Sequence, residues 1–160
     1  MKSLILVRHA KSSWEFGFDD KKRPLAERGI SDIQKMGKKV KKHLPDQLTI
    51  WSSPAVRASH TARLFCENAG LGTENIQFKE NLYTFNESQL EKEIKKCENS
   101  IQNLILFGHN EAITNFVNKF GDHYFENVPT AGFVYLQFEE DSWENINRGR
   151  IIKAVFPKDI

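Results

Sequence analysis

Two short apolar runs, each followed by a histidine, constrain the fold of this chain more than any other feature. The first reads Leu-Ile-Leu-Val and is followed by Arg8 and His9; the second reads Leu-Ile-Leu-Phe at 104–107 and is followed by a glycine and His109. Such runs are typical of strands that are buried on both faces of a sheet. Because ligands bind at the carboxyl ends of strands in open α/β sheets, we expect both histidines at a ligand-binding edge.

The rest of the chain alternates between patterns with helical and with strand periodicity. We predict helices over residues 30–44, 55–69, 87–97 and 111–120, and further strands over residues 48–51, 76–78, 133–138 and 151–156. This alternation predicts a single α/β domain over 1–160: a three-layer αβα sandwich with a mostly parallel central sheet. We expect the last two strands to pair antiparallel at an edge. The serines and the proline at 52–54 indicate the start of the second helix.

The length and the charge of the chain restrict its class. A chain of 160 residues suits one domain, and its net charge of +2 points neither to a nucleic acid nor to a membrane as partner. The charge is uneven, because residues 1–60 contain 13 basic and 6 acidic side chains. A basic half could attract phosphorylated or acidic ligands. The favoured explanation is simpler: the lysines of segment 35–42 form a solvated helix face.

The two cysteines and the lack of long apolar segments indicate where the protein resides. Cys66 and Cys97 both lie in helix-like segments, and neither has the spacing of a metal site. No segment approaches the roughly 20 apolar residues of a membrane span. We therefore expect a reduced, cytoplasmic protein.

Four residues at the ends of predicted strands and at a helix start could form a phosphate pocket: Arg8, His9, Arg57 and His109. Arg57 lies early in a helix, where a cation opposes the helix dipole at a cost of some tenths of a kcal/mol, so we expect a compensating anion. Guanidinium groups match phosphate oxygens in a bidentate way. Each residue alone has a commoner structural explanation, such as a surface ion pair for Arg57; their combination favours the pocket.

Histidine is the best nucleophile that the sequence offers. The chain has neither a phosphate-binding glycine loop nor a G-x-S-x-G turn. A neutral imidazole can attack phosphorus when its other nitrogen is held by an acceptor. His9 could act in this way, and His109 could donate a hydrogen bond to the developing charge.

These residues belong to longer motifs that carry a resemblance. The motifs are L-V-R-H-A-K-S-S-W at 6–14, D-D-K-K-R-P-L-A-E-R-G at 19–29, S-S-P-A-V-R-A-S-H-T-A at 52–62, G-H-N at 108–110 and N-V-P-T-A-G at 127–132. In this order the chain resembles the histidine phosphatase superfamily, and within it the small SixA-type phosphohistidine phosphatases. The likeness extends from residue 4 to about residue 136.

The resemblance implies a fold and a mechanism. The fold is phosphoglycerate mutase-like. His9 becomes transiently phosphorylated, Arg8, Arg57 and His109 hold the phosphoryl group, and water completes the hydrolysis. The family needs no metal and no cofactor. The implied substrate is a phosphorylated protein, such as a histidine phosphotransfer domain or a phosphocarrier, or a small phosphorylated metabolite.

Several further residues could contribute to the pocket. Ser13 in the first loop and Thr130 in the late loop are candidate substrate-binding residues, and His60 could support Arg57. Trp14 and the aromatic residues of 16–18 are candidates to line the groove. A loop packed onto its own domain would explain these aromatic residues as well.

One departure from the family concerns the proton donor. Many larger members carry a glutamate where this chain has Thr84; the alternative acids are Asp19, Asp20, Glu80, Glu87 and Glu111. A phosphohistidine substrate does not require such an acid, since its imidazole leaving group, with a pKa of about 6.5, can be protonated by solvent. A sugar alkoxide requires a positioned donor. The departure therefore favours phosphohistidine, and the shortness of the chain predicts an open groove.

Three alternatives stay open at this stage. The first is a phosphatase for small metabolites or nucleotides with the same mechanism. The second is a non-catalytic module that binds phosphate. The third is a metal-dependent hydrolase that uses His9, His109 and Asp19 or Asp20 as ligands, which is disfavoured because arginines beside a cation repel it.

Overall fold

The computed structural model describes residues 1–17 and 19–160, except for the side chain of Phe16. In this part of the chain the strands are β1 (Lys2–Arg8), β2 (Leu48–Ser52), β3 (Ile76–Phe78), β4 (Asn103–Gly108), β5 (Phe133–Phe138) and β6 (Arg150–Val155). The α-helices are α1 (Glu27–Val40), α2 (Val56–Ala69), α3 (Glu87–Lys95) and α4 (Ala112–Phe120). None of these described helices combines the length and the apolar character that a membrane span requires.

The strands form one mixed sheet with the order β3-β2-β4-β1-β5-β6. Strands β3, β2, β4 and β1 run parallel, which confirms the mostly parallel arrangement. Strands β5 and β6 pair antiparallel at the edge, as predicted. Strand β5 also pairs antiparallel with β1, so the hairpin adjoins a central strand.

Alternate residues of the central strands face two different helix layers. Ile5 and Val7 of β1 belong to the core cluster that includes buried residues of α1 and α2. Leu4 and Leu6 belong to the cluster that includes buried residues of α3 and α4. Because both faces are covered, the strand is apolar throughout rather than alternating. The predicted αβα sandwich is therefore confirmed.

The start of α2 differs from the prediction in a way that matters for the site. The residue before the helix is Ala55, and no side chain caps the helix. Ser53 instead accepts a hydrogen bond from the Ala55 amide at 3.2 Å, inside the preceding turn. The hydroxyl of Ser53 is thereby held in the interior, beside the carboxyl end of β4.

Candidate active site

The carboxyl ends of β1 and β4 lie side by side and place both histidines at one edge of the sheet. Arg8 is the register partner of Gly108, and the amide of His9 donates to the Gly108 carbonyl at 3.0 Å. The next amide, that of Ala10, donates to the Thr61 hydroxyl at 2.9 Å and so connects the loop to α2. The rings of His9 and His109 have centroids 5.4 Å apart. The expected pairing of the two histidines is present.

The hydrogen bond of His9 determines which ring nitrogen is free. His9 Nδ1 lies 2.8 Å from the carbonyl oxygen of Ala10. Because a carbonyl can only accept, Nδ1 carries the proton and Nε2 keeps its lone pair. Burial lowers the pKa of His9 to about 4, against the carbonyl bond that raises it, and Arg57 and Arg8 add to the lowering. At neutral pH the ring is therefore uncharged and can act as a nucleophile.

The contact of His109 with Ser53 assigns the opposite tautomer. His109 Nε2 lies 2.8 Å from Ser53 Oγ. That oxygen already accepts from Ala55, and among the described hydrogen bonds its proton has no other acceptor, so Ser53 donates to Nε2. His109 therefore carries its proton on Nδ1, and the described residues provide no acceptor for it. Burial, the neighbouring His9 and Arg57 lower the pKa of His109 to about 2, so the ring stays neutral.

Arg57 is held by an anion, as its position at a helix start predicts. Its Nη2 donates to Asp20 Oδ2 at 2.9 Å, and its Nη1 donates to the Asp20 carbonyl. The guanidinium is almost fully buried, with 1% of the residue exposed. The carboxylate of Asp20 therefore offsets the unfavourable position of this cation in the helix dipole.

Arg8 is fixed from the opposite side of the pocket. Its Nη1 donates to the Val128 carbonyl at 2.9 Å. Burial lowers the pKa of Arg8, which stays charged because its ordinary value is far above neutrality. Both arginines thus keep a fixed orientation and part of their hydrogen-bonding capacity.

Three buried N–H groups next to His9 have no acceptor within the described part of the structure: Arg8 Nε, Arg57 Nε and His109 Nδ1. Buried polar groups are normally paired, and each unpaired one calls for an explanation. A phosphoryl group at His9 Nε2 would offer three oxygens to these donors. The arrangement is that of an anion site beside a nucleophile.

A cavity of about 280 Å³ opens above His9. Four of the predicted site residues line this cavity together: Arg8, His9, Arg57 and Thr130. The remaining lining residues are Lys11, Ser12, Trp14, Arg23, Phe85 and Asn110. His109 is not one of the lining residues, but its ring contacts His9, and the rings of Tyr83 and Phe85 pack against it at centroid distances of 5.4 and 5.5 Å.

The structure places two of the other candidates elsewhere. Ser13 lines a neighbouring pocket, and its hydroxyl accepts from the Glu15 amide at 3.1 Å; Ser12 lines the cavity instead. His60 lies on α2, half-buried and outside the cavity lining. Trp14 lines the cavity and is 79% exposed. Phe18 and the side chain of Phe16 lie outside the described residues.

Sequence reasoning missed Arg23 and the role of Asp20 as an anchor. Arg23 is 6% exposed, donates to Ser12 Oγ at 2.6 Å, and places its guanidinium 3.5 Å from the centre of the Trp14 ring. Its Nε lies 3.4 Å from Asp20 Oδ1. The segment around it contains four consecutive charged residues before Arg23, so charge alone did not distinguish the buried arginine from its neighbours.

Neither Asp20 nor Glu80 offers a proton to the cavity, and Thr84 has no carboxyl group. Thr84 accepts a hydrogen bond from the Asn86 amide at 3.1 Å, in the turn before α3. Partial burial raises the pKa of Asp20, but hydrogen bonds from Tyr83 and Arg57 outweigh this effect and lower it to about 2. Asp20 is therefore ionised at neutral pH. Glu80 forms an ion pair with Lys21. Over the described ranges, no three His, Cys, Asp or Glu side chains are grouped so as to hold a metal ion.

The fold and the site together place a buried, neutral histidine and two arginines around one cavity of an α/β domain. The family model of the histidine phosphatase superfamily (branch 1) matches residues 4–105. The chain belongs to the histidine phosphatase superfamily, and phosphatase is the enzyme class that this assignment supports. An uncharacterised protein of Mycobacterium tuberculosis is 26% identical over 153 residues, which cover 89% of this chain and 93% of the relative.

Solved structures share the phosphoglycerate mutase-like fold. The protein histidine phosphatase SixA in complex with tungstate superimposes with a TM-score of 0.82 at 14% identity, covering 98% of both chains. A mycobacterial glucosyl-3-phosphoglycerate phosphatase in complex with VO3 superimposes with a TM-score of 0.70 at 16% identity, covering 96% of this chain and 98% of the other. The fold is thus shared by a protein named for a protein substrate and by one named for a metabolite substrate.

Proposed function

We propose that this chain is a protein phosphohistidine phosphatase of SixA type that works through a phosphohistidine intermediate on His9. The observation that supports this most strongly is the set of unpaired, buried donors in the described site, Arg8 Nε, Arg57 Nε and His109 Nδ1. They accompany a neutral histidine whose Nε2 is free. Preorganised donors of this kind stabilise charge on a transferring group without reorganisation.

The reaction proceeds in two displacements. His9 Nε2 attacks phosphorus, the bond to the leaving imidazole breaks, and solvent protonates the departing nitrogen. Water then attacks the phosphoryl group on His9, the new P–N bond breaks, and inorganic phosphate leaves with His9 neutral again. Arg8, Arg57 and His109 hold the oxygens in both steps, and Thr130 lines the substrate cavity. No metal takes part in this scheme.

The state of the nearby carboxylates favours a phosphohistidine substrate. Asp20 is committed to Arg57 and Tyr83 and has a pKa of about 2, and Glu80 is paired with Lys21. Without a positioned acid, an alkoxide is a poor leaving group, whereas an imidazole is protonated by solvent near neutral pH. We infer that the substrate is a protein phosphorylated on histidine, such as a phosphotransfer domain or a phosphocarrier.

The test compares a histidine-phosphorylated phosphocarrier protein with a sugar phosphate, whose leaving group is an alkoxide, each with a strong chelator present. We expect a clear preference for the protein in kcat/KM and ³²P trapped on the wild type after acid-free quenching. His9→Ala should leave no trapped ³²P and should lower kcat/KM for the phosphorylated protein by about 10⁴-fold or more. His123→Ala, which changes an exposed histidine outside the cavity lining, is the matched control.

The outcomes separate the proposal from its alternatives. A preference for esters would instead indicate a metabolite phosphatase, the activity named for the mycobacterial structural relative. Phosphate binding without turnover or trapped label would indicate a non-catalytic module. Activity that disappears with the chelator and returns with a divalent metal would contradict the metal-free scheme.

A further inference from the structure

A second pocket, also of about 280 Å³, adjoins the catalytic cavity. Lys11 and Thr130 line both, so the two pockets are direct neighbours. The charged side chains of this second pocket are Lys11, Arg28 and Lys158, opposed by Asp32. We call it the basic pocket. Neither the phosphoryl site nor the proposed reaction uses Arg28 or Lys158.

The cations of the basic pocket are largely uncompensated. Arg28 approaches Asp32 only to 3.9 Å, with 76% of the arginine side chain exposed. Lys11 and Lys158 are exposed and form no ion pair within the described residues. A single exposed pair contributes little, but several charges of one sign around a concave surface attract an oppositely charged ligand.

The backbone beneath these side chains is held in place. The Ala26 amide donates to the Lys11 carbonyl at 2.9 Å. Gly29 of α1 packs against the same carbonyl, since a Cβ at this position would lie 2.1 Å from the Lys11 oxygen. On the other wall, the Phe156 amide donates to Asp159 at 2.9 Å. The pocket is thus preformed at the backbone, which reduces the entropy lost on binding.

We propose that the basic pocket binds carboxylates of an acidic segment that flanks the phosphohistidine in the substrate protein. This inference rests on the proposed function and specifies its partner. A further pocket beside Ser13 carries Glu15 and Glu27 instead. Of these two pockets only the basic one shares lining residues with the catalytic cavity, so a chain that extends from the phosphohistidine would meet cations there.

Two synthetic peptides test the inference. Each carries one histidine phosphorylated with phosphoramidate; in one peptide the flanking residues are glutamates, and in the other they are glutamines. We expect the wild type to prefer the glutamate peptide by about tenfold in kcat/KM at low salt, mostly through KM, with the preference decreasing as salt screens the charges. The double variant Arg28→Glu, Lys158→Glu should lose this preference.

The control is Lys38→Glu, a charge reversal at an exposed position of α1 outside both pockets. It should keep the preference of the wild type. Equal rates for both peptides in the wild type, or an unchanged preference in the double variant, would overturn the inference while leaving the proposed function intact. A wild type that hydrolyses neither peptide nor a phosphorylated phosphocarrier would overturn the proposed function itself.

Discussion

The candidate active site consists of two regions that differ in how they are built. The floor comprises Arg8, His9, Arg57 and His109, which stand at the ends of strands or in the first turn of a helix. His9, Arg57 and His109 are at most 7% exposed. The wall comprises Ser12, Trp14, Asp20 and Arg23, which lie among the described residues between β1 and α1. It is held by backbone hydrogen bonds within this segment and by contacts between side chains, and it includes the exposed ring of Trp14.

We expect this structural difference to correspond to a difference in function: the floor would contact the reacting groups, and the wall would position the floor. Floor residues owe their positions to sheet register and helix packing, so their donors are fixed before the substrate arrives. Wall residues are positioned by contacts with one another, and the hydrogen bond from Arg57 to Asp20 connects the wall to the floor. We therefore expect changes in the floor to cost far more activity than changes in the wall.

The largest predicted effect in the present comparison comes from Arg57→Lys. Lysine keeps the charge but loses the planar fork that contacts Asp20 and the free Nε donor. We expect kcat/KM to fall by about 10²–10³-fold, as for the loss of one preorganised donor. Steady-state kinetics with a histidine-phosphorylated protein measure this loss, and Arg63→Lys on the same helix is the control. A loss below tenfold would contradict the assignment of Arg57 to the floor.

The floor could be predicted from the sequence because local patterns determine it. An apolar run indicates a buried strand, and its carboxyl end indicates where the next side chain lies, which sufficed for His9 and His109. Arg57 could be found because a cation in the first turn of a helix conflicts with the helix dipole and calls for an anion.

The wall could not be predicted, because its contacts join residues far apart in sequence without any periodic signal. Asp20 contacts Arg57 at a separation of 37 residues and Tyr83 at a separation of 63. The same limit applies to the sheet: the position of β5 beside β1 depends on pairing across more than 120 residues, which no local pattern specifies. Ser53 appeared to be a helix-start signal, and only the tertiary structure shows its bond to His109.

The pH dependence of stability should distinguish the two regions. Burial lowers the pKa values of His9 to about 4 and of His109 to about 2, so as the pH falls below about 6.5 only the unfolded state takes up these protons. The free energy of unfolding should then fall by up to about 1.4 kcal/mol per pH unit for His109 between about pH 6 and pH 4, and by less for His9 as the pH approaches its folded pKa of about 4. The contribution of Asp20, whose pKa is lowered to about 2, is lost only below about pH 4.

Urea denaturation at several pH values between 6 and 4 measures this slope. His9→Ala should reduce it by about 1 kcal/mol per pH unit on average, since one of the two buried histidines is removed. His123→Ala, at an exposed position, is the matched control. An identical slope in the wild type and in His9→Ala would show that His9 does not remain neutral in this range.

Ser53→Ala should have an intermediate effect. It removes the hydroxyl that donates to His109 Nε2. The ring can then exchange tautomers, and in the other tautomer Nδ1 carries no proton to donate to the phosphoryl group. We expect kcat to fall by about tenfold with little change in KM, as one well-placed hydrogen bond is lost. The ¹⁵N shifts of His109 report the tautomer directly. Ser52→Ala is the matched control, because this equally buried hydroxyl bonds only to the Ser53 carbonyl among the described contacts.

The smallest effect should come from Tyr83→Phe, which tests how strongly the wall supports the floor. The change removes the hydroxyl that donates to Asp20 Oδ2 and keeps the ring that packs against His109. Asp20 still receives both hydrogen bonds from Arg57, so we expect kcat/KM to fall only about threefold. The pKa of Asp20 should rise, because the lost hydrogen bond stabilised its charged form.

Kinetics and an NMR titration of Asp20 measure both effects of Tyr83→Phe, with Tyr124→Phe at an exposed position as the control. The two readouts together show how the regions are coupled. A raised pKa with nearly unchanged kcat/KM means that Asp20 orients Arg57 without the help of Tyr83. A loss as large as that of Arg57→Lys would instead mean that the Tyr83 hydroxyl takes part in the proton transfer to the leaving group. The division between a floor that carries the reaction and a wall that supports it would then be wrong.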